Sequence, residues 1–270
     1  MTTTTAKRAA FRSLHESGCF VIPNPWDVGS GRLFQHLGFK ALASSSAGLA
    51  WSLGRADNTI TRDDVLAHLT ALCAAVDLPV NADFESGFAK EPARVADSVR
   101  LAVATGVAGL SIEDREVDAP FGLYDRAFAV ERIRAAKAAI ASTGQDVLLV
   151  ARTEGLLRDA TAVKPAIDKL VAFAEAGADV LFAPGVREKT DIAAMVRAVA
   201  PKPLNVVISW PGMTVAELAD LGVRRISVGG ALARVAWNAV IGAAEQLAAG
   251  SFDGLAAGPS KKLNEIFARP

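Results

Sequence analysis

Leu78-Pro79-Val80-Asn81-Ala82-Asp83-Phe84-Glu85-Ser86-Gly87-Phe88 begins as a short apolar strand and ends in a turn. A stretch of helical periodicity follows, Ala93–Thr105, with Gly106 just past its end. Glycine there is the usual left-handed helix cap. The same unit recurs along the chain. Apolar, β-branched runs occupy Cys19–Pro23, Ala41–Ser45, Leu78–Ala82, Ala108–Ile112, Val147–Ala151, Val180–Ala183, Leu204–Ile208 and Arg225–Val228. Stretches rich in Ala, Leu, Arg and Glu lie between them, for example Asp63–Val76, Ala127–Ser142, Ala166–Ala176, Lys189–Val199 and Val215–Leu221. Strands alternating with helices predict a parallel sheet, and their apolar character predicts cover on both faces. Eight such units in 270 residues predict an α/β fold, a closed (β/α)8 TIM-type barrel. The alternative is an open doubly wound sheet. The turn after the first strand, Asn24-Pro25-Trp26-Asp27-Val28-Gly29-Ser30-Gly31, has no GxGxxG, so a dinucleotide fold is set aside. An extra helix is expected at Ala6–Ser17 and another at Lys261–Phe267. Residues 1–270 therefore read as one barrel domain, with 250–270 as a C-terminal helical extension.

Composition excludes several classes of function. The formal net charge is zero, so nothing favours nucleic acid or an anionic membrane as partner. No apolar run reaches the length of a bilayer span, and the first residues lack the apolar core of a secretory signal. Cys19 and Cys73 have no cysteine or histidine at metal-ligand spacing. Two lone cysteines fit a reduced cytoplasmic protein without a disulfide framework. His15, His36 and His68 all fall in expected helices and away from strand ends, which disfavours a histidine metal site or a Ser-His-Asp triad.

In such barrels the chemistry gathers at the C-terminal strand ends. Those ends carry Asn24, Trp26 and Asp27; Ser44–Trp51; Asp83 and Glu85; Glu113 and Asp114; Arg152, Thr153 and Glu154. The last three end in Pro184-Gly185, in Ser209-Trp210 with Asn205 inside the strand, and in Gly229-Gly230. Asp83 and Glu85, at i and i+2, share a face if the strand continues straight. Alone they read either as ligands for a hard divalent cation or as a solvated acidic turn. With Glu113 on the next strand they can hold one Mg²⁺, or Mn²⁺. Arg152 can grip a carboxylate or phosphonate in bidentate fashion. Small residues at Ser45–Gly48 can offer backbone N–H groups and hydroxyls to a second carboxylate. The competing reading is a buried ion-pair network without a substrate.

These motifs, in this order over nearly the whole chain, resemble the isocitrate lyase/phosphoenolpyruvate mutase superfamily. They are Asn24–Asp27, Ser45–Ala50, Ser52–Asp57, Asp83–Phe88, Ile112–Asp114, Ala151–Glu154, Pro203–Val206 and Val223–Gly229. The resemblance implies a Mg²⁺-dependent barrel acting on α-oxo or α-hydroxy carboxylates through an enolate, with C–C or P–C bonds made or cleaved. It implies Asp83 as direct metal ligand, Glu85 and Glu113 holding metal-bound waters, and Asp57 nearby. It implies that Ser45, Ser46, Ala47 and Gly48 cradle the substrate carboxylate, with Arg152 opposite and Asn205 further in. It also implies a homo-oligomer, typically a tetramer with the last barrel helix swapped between neighbours. The sequence departs from the family after the fourth strand. The isocitrate and 2-methylisocitrate lyases carry there a cysteine flanked by basic residues; Arg115–Tyr124 contains no Cys, Lys or His. The sixth strand end, Phe182-Ala183-Pro184-Gly185, lacks the glutamate of those lyases, and Glu85 stands where many members have Asp. The expectation is a C–C lyase of oxaloacetate-like acids. Phosphonopyruvate-type P–C chemistry, as mutase or hydrolase, and a non-catalytic carboxylate-binding barrel are the alternatives. Tyr124, the sole tyrosine, is either a proton donor from a closing loop or an anchor on the barrel rim.

Overall fold

The computed structural model describes residues 2–119, 122–255 and 260–268. Its strands are β1 (Phe20–Ile22), β2 (Leu42–Ala43), β3 (Val80–Asp83), β4 (Gly109–Glu113), β5 (Leu148–Arg152), β6 (Val180–Phe182), β7 (Leu204–Val207) and β8 (Arg225–Ser227). The helices are α1 (Thr4–Leu14), α2 (Val28–His36), α3 (Ser46–Ser52), α4 (Arg62–Ala75), α5 (Pro92–Ala104) and α6 (Arg126–Ser142). They continue with α7 (Gly155–Arg158), α8 (Val163–Glu175), α9 (Lys189–Val199), α10 (Val215–Asp220), α11 (Ala231–Ala248) and α12 (Ser260–Phe267). The strands form one parallel sheet in the order β1-β8-β7-β6-β5-β4-β3-β2. At the seam the Ala43 N–H donates to the Pro23 carbonyl at 3.0 Å. The expected (β/α)8 barrel is the fold. The expected helices are present with ends shifted by up to three residues, and the N-terminal helix starts two residues early and stops three residues short. The C-terminal extension lies partly outside the described residues; within them it contains α12, which packs on α2 and buries Ile266.

Two apolar cores build the barrel. The larger fills the space between sheet and helices, with Leu69, Leu72, Val99, Ile133, Leu170 and Ile192 sealed in it. The smaller lies inside the barrel and contains Phe11, Ile22, Leu148, Val150, Val180 and Phe182. Phe11 comes from α1, which closes the N-terminal end of the barrel. Gly109 makes room for it: a Cβ there would stand 2.7 Å from Phe11 and from the Asn81 amide oxygen. α1 is tied down by its own cations. Lys7 donates to the carbonyls of Cys73 and Val76, and Arg8 donates to those of Val103 and Val107.

Strand alternation divides the interior. From β1, β5 and β6 the inward side chains are mostly apolar. From β3, β4, β7 and β8 they include Asn81, Asp83, Ser111, Asn205, Arg225 and Ser227, all lining one cavity. Period-two geometry thus gives the barrel an apolar half and a polar half.

Candidate active site

Two cavities meet at the C-terminal end of the barrel. The inner one, about 160 Å³, reaches down between Asn24, Asn81, Asn205 and Arg225. The outer one, about 470 Å³, is lined by Glu85, Glu113, Arg115, Glu154 and Arg158. Ser46, Asp57 and Arg152 line both and form the passage between them.

Arg152 ends β5 beside Glu113, the last residue of β4. Its Nε donates to Glu154 at 2.5 Å and lies 3.4 Å from Glu113; its Nη1 donates to Asp83 at 3.3 Å. Asp83 is oriented from its other side. Its Oδ2 accepts from the Ser46 N–H at 2.9 Å and the Ser46 hydroxyl at 2.8 Å. Its own N–H donates to the Ser44 hydroxyl at 2.9 Å. The small residues after β2 and the acid ending β3 are thus one unit.

Arg115 is the group at the mouth that sequence reasoning missed. It is buried, donates to Glu85 and Glu113 at 2.8 Å each, and so ties β3 to β4 above the sheet. Glu85 takes a left-handed backbone, φ +46°, rare for a residue with a Cβ. The turn lets its carbonyl accept the Glu113 N–H at 2.9 Å while its carboxylate stays buried. One carboxylate oxygen, Oε1, has no hydrogen-bond partner among the described residues. Burial, then Asp83 and Glu113, push the Glu85 carboxyl up to about 8. Burial also raises Glu113, with Glu154 and Asp83 adding to it against Arg152. Asp57, on an exposed loop, is raised where it faces the cavities, first by desolvation and then by Asp83.

The sequence-predicted residues fare unequally. Asp57, Asp83, Glu85 and Glu113 all reach the two cavities, and Ser45, Ser46, Ala47, Arg152 and Asn205 line the inner one. Gly48 does not line it: its N–H caps back to the Ser45 hydroxyl at 3.1 Å, and a Cβ there would meet Trp26 at 2.8 Å. Asn205 is committed, donating to Ser227 at 3.1 Å and accepting from Arg225 at 2.8 Å. Tyr124 is not brought to the site. It is 5% exposed, its hydroxyl accepts the Val117 N–H at 3.3 Å, and the Arg132 guanidinium stacks on its ring. It anchors the loop. Of that loop, residues 120 and 121 lie outside the described ones; an antiparallel bridge joins Arg115 to Leu123.

Among the described residues no three His, Cys, Asp or Glu side chains converge as a ready-made metal cage. The donor set nevertheless suits a hard cation. Five carboxylates, from Asp57, Asp83, Glu85, Glu113 and Glu154, line the cavities with four guanidinia, from Arg115, Arg152, Arg158 and Arg225, and one Glu85 oxygen is orphaned. Mg²⁺ needs few direct protein ligands and keeps several of its waters.

Fold and site define an α/β barrel of the enzyme type, its charged groups collected at the carboxyl ends of the strands. A sequence model of phosphoenolpyruvate phosphomutase matches residues 11–248, and the chain belongs to that family, within the isocitrate lyase/phosphoenolpyruvate mutase superfamily. Among solved structures, a candidate lyase/mutase from Burkholderia cenocepacia J2315 is 46% identical, with a TM-score of 0.94 over 99% of this chain and 98% of that one. A 2,3-dimethylmalate lyase is 29% identical, with a TM-score of 0.85 over 98% of this chain and 94% of that one. The oxaloacetate decarboxylase of Rhodopseudomonas palustris BisB18 is 28% identical over 94% of this chain and 86% of its own. No helix among the described residues is long and apolar enough to cross a membrane.

Proposed function

We propose that this protein is a divalent-cation-dependent C–C lyase acting on a small 2-oxo or 2-hydroxy acid of the oxaloacetate type. The observation that carries this reading is the excess of carboxylates at the mouth, ending in a buried Glu85 oxygen without a partner among the described residues. Asp83 would hold Mg²⁺ directly, with Glu85 and Glu113 holding its waters and Asp57 beside them; Mn²⁺ suits the same donors. Bound there, the cation supplies positive charge opposite the oxygen on which negative charge develops as the bond breaks.

The remaining work falls to the chain. Ser45 and Ala47 offer a hydroxyl and N–H groups at the passage to the acid's carboxylate, while Ser46 between them gives both its donors to Asp83. Arg152 faces them, and its three carboxylate partners fix its plane before substrate arrives. The loop 115–124 offers no thiol, amine or imidazole, so the proton that ends the reaction is drawn from solvent. That favours decarboxylation, whose product enolate needs no positioned lid acid. The test is turnover with Mg²⁺ of oxaloacetate, its alkylated analogues, 2-methylisocitrate and phosphonopyruvate. Release of pyruvate or a C–C cleavage product supports the reading. A phosphorus product would reassign the chain to P–C chemistry, and oxalate binding without any turnover would make it a binding barrel.

The acid-handling barrel is read here as a homo-oligomer. α11 buries only Ala233, and Trp237, Val240 and Ile241 form one exposed apolar face at helical spacing.

A further inference from the structure

Arg225 is a buried charge that the chemistry at the mouth does not use. It opens β8, is 3% exposed, and lines the inner cavity below Arg152. Its Nε donates to the Asn205 amide oxygen at 2.8 Å, and its Nη1 donates to that of Asn81 at 3.3 Å. Both amides are held with their oxygens toward it. The Asn205 NH₂ donates to Ser227 at 3.1 Å, and the Asn81 NH₂ donates to the Ala82 carbonyl at 3.1 Å. No carboxylate among the described residues offsets its charge, and burial alone lowers its pKa to about 9. From the N-terminal side its titratable neighbour is His15, kept neutral by burial and by Arg225 itself. A buried guanidinium without an anion carries an uncompensated desolvation penalty. Two amides orient it without neutralising it.

The register sets the distance to the mouth. Asn81 and Asp83 lie on one face of β3, two residues apart, a rise of roughly 6.6 Å. Asp83 meets Arg152, and Asn81 meets Arg225. Two guanidinia thus address one small cavity from successive layers, one with three carboxylate partners and one with none among the described residues.

We propose that Arg225 anchors the second carboxylate of a dicarboxylate ligand. The end bearing the 2-oxygen stays at Ser45–Ala47 and Arg152, and the distal carboxylate points into the barrel. The proposal rests on the reading of the mouth given above. It is tested by calorimetric titration of the protein with Mg²⁺ using (S)-malate and 2-hydroxybutyrate. These share chain length and 2-hydroxy acid end and differ only in carboxylate against methyl. Charge-assisted hydrogen bonds predict malate binding about 10- to 100-fold tighter. Arg225→Gln should bring malate to within about threefold of 2-hydroxybutyrate while leaving the latter's affinity unchanged. Equal affinities in the unmodified protein, or equal loss of both ligands in the variant, would overturn the anchor while leaving the mouth intact. Binding of neither acid would remove the mouth reading and the anchor with it. If Arg225→Gln does not fold, the comparison in the unmodified protein decides alone. Arg225→Lys adds a check: retained preference for malate supports the anchor, and its complete loss, with 2-hydroxybutyrate binding intact, requires a guanidinium there.

Discussion

Arg115 holds two carboxylates that repel each other, Glu85 and Glu113, at 2.8 Å each. A divalent cation at Asp83 would act on the same pair from the cavity side. Arg115→Met should therefore leave two buried acids short of a cation and cost about 3–5 kcal/mol without metal. That is on the order of 10 °C in Tm. Added Mg²⁺ should then raise the melting temperature of the variant by more than that of the parent, because the ion takes over the neutralisation. Equal metal-induced shifts in thermal denaturation would mean that guanidinium and cation act on different groups. Arg115 and Arg132 were illegible in the sequence for one reason. Arginine is mostly a surface residue, and nothing in a one-dimensional pattern marks the buried ones. Arg225 did carry a signal: with Ser227 it makes both alternate, inward positions of β8 polar.

At the scale of elements, what positions Arg152 is the clamp beneath it. The Asp114 side chain, just past β4, is fully buried and accepts from Lys169 of α8 at 2.5 Å. It also accepts from the Thr153 hydroxyl and the Glu154 N–H at 2.8 Å each. Lys169 donates as well to the Tyr124 carbonyl at 2.9 Å, so one lysine joins α8, the β4 and β5 ends and the loop base. Lys169→Met should cost about 3–5 kcal/mol and lower kcat through displaced Glu154 and Arg152. Adding Asp114→Asn should recover part of the stability, because the stranded charge is gone. A double variant as unstable as the sum of the singles, in denaturant titration, would mean that the pair is uncoupled. Arg132 is the matching clamp on the other side, donating to the Lys90, Ala89 and Glu113 carbonyls at 3.1, 2.8 and 3.2 Å. The elements themselves were legible, since apolar runs and glycine caps repeat with the barrel's period. The acids and Arg152 were found because strand ends are where such barrels keep their chemistry. Gly48 faces away from the cavity, and Tyr124 takes the anchor reading and not the donor one, because adjacency in sequence does not say which way a short helix or a loop turns.

For the whole molecule, the unmatched surface is α11. Val235, Trp237, Val240 and Ile241 are 39–66% exposed on a helix that follows the last strand. A barrel helix covering its own sheet would bury an apolar stripe, and this one buries Ala233 alone. The double substitution Trp237→Asp and Ile241→Asp should shift the protein to a smaller species in light-scattering chromatography, with its far-UV circular dichroism unchanged. An unchanged mass would remove the oligomer reading.

In the proposed function the carboxylates at the strand ends hold the cation under which a 2-oxo diacid is cleaved. It is tested most directly by oxaloacetate consumption against Mg²⁺ concentration, corrected for the protein-free rate, in the parent and in Asp83→Asn. Saturable Mg²⁺ dependence, loss of activity with EDTA, and a fall in kcat/KM on the order of 100-fold or more in the variant are expected. A protein-dependent rate indifferent to EDTA, or an Asp83→Asn variant as active as the parent, would contradict it.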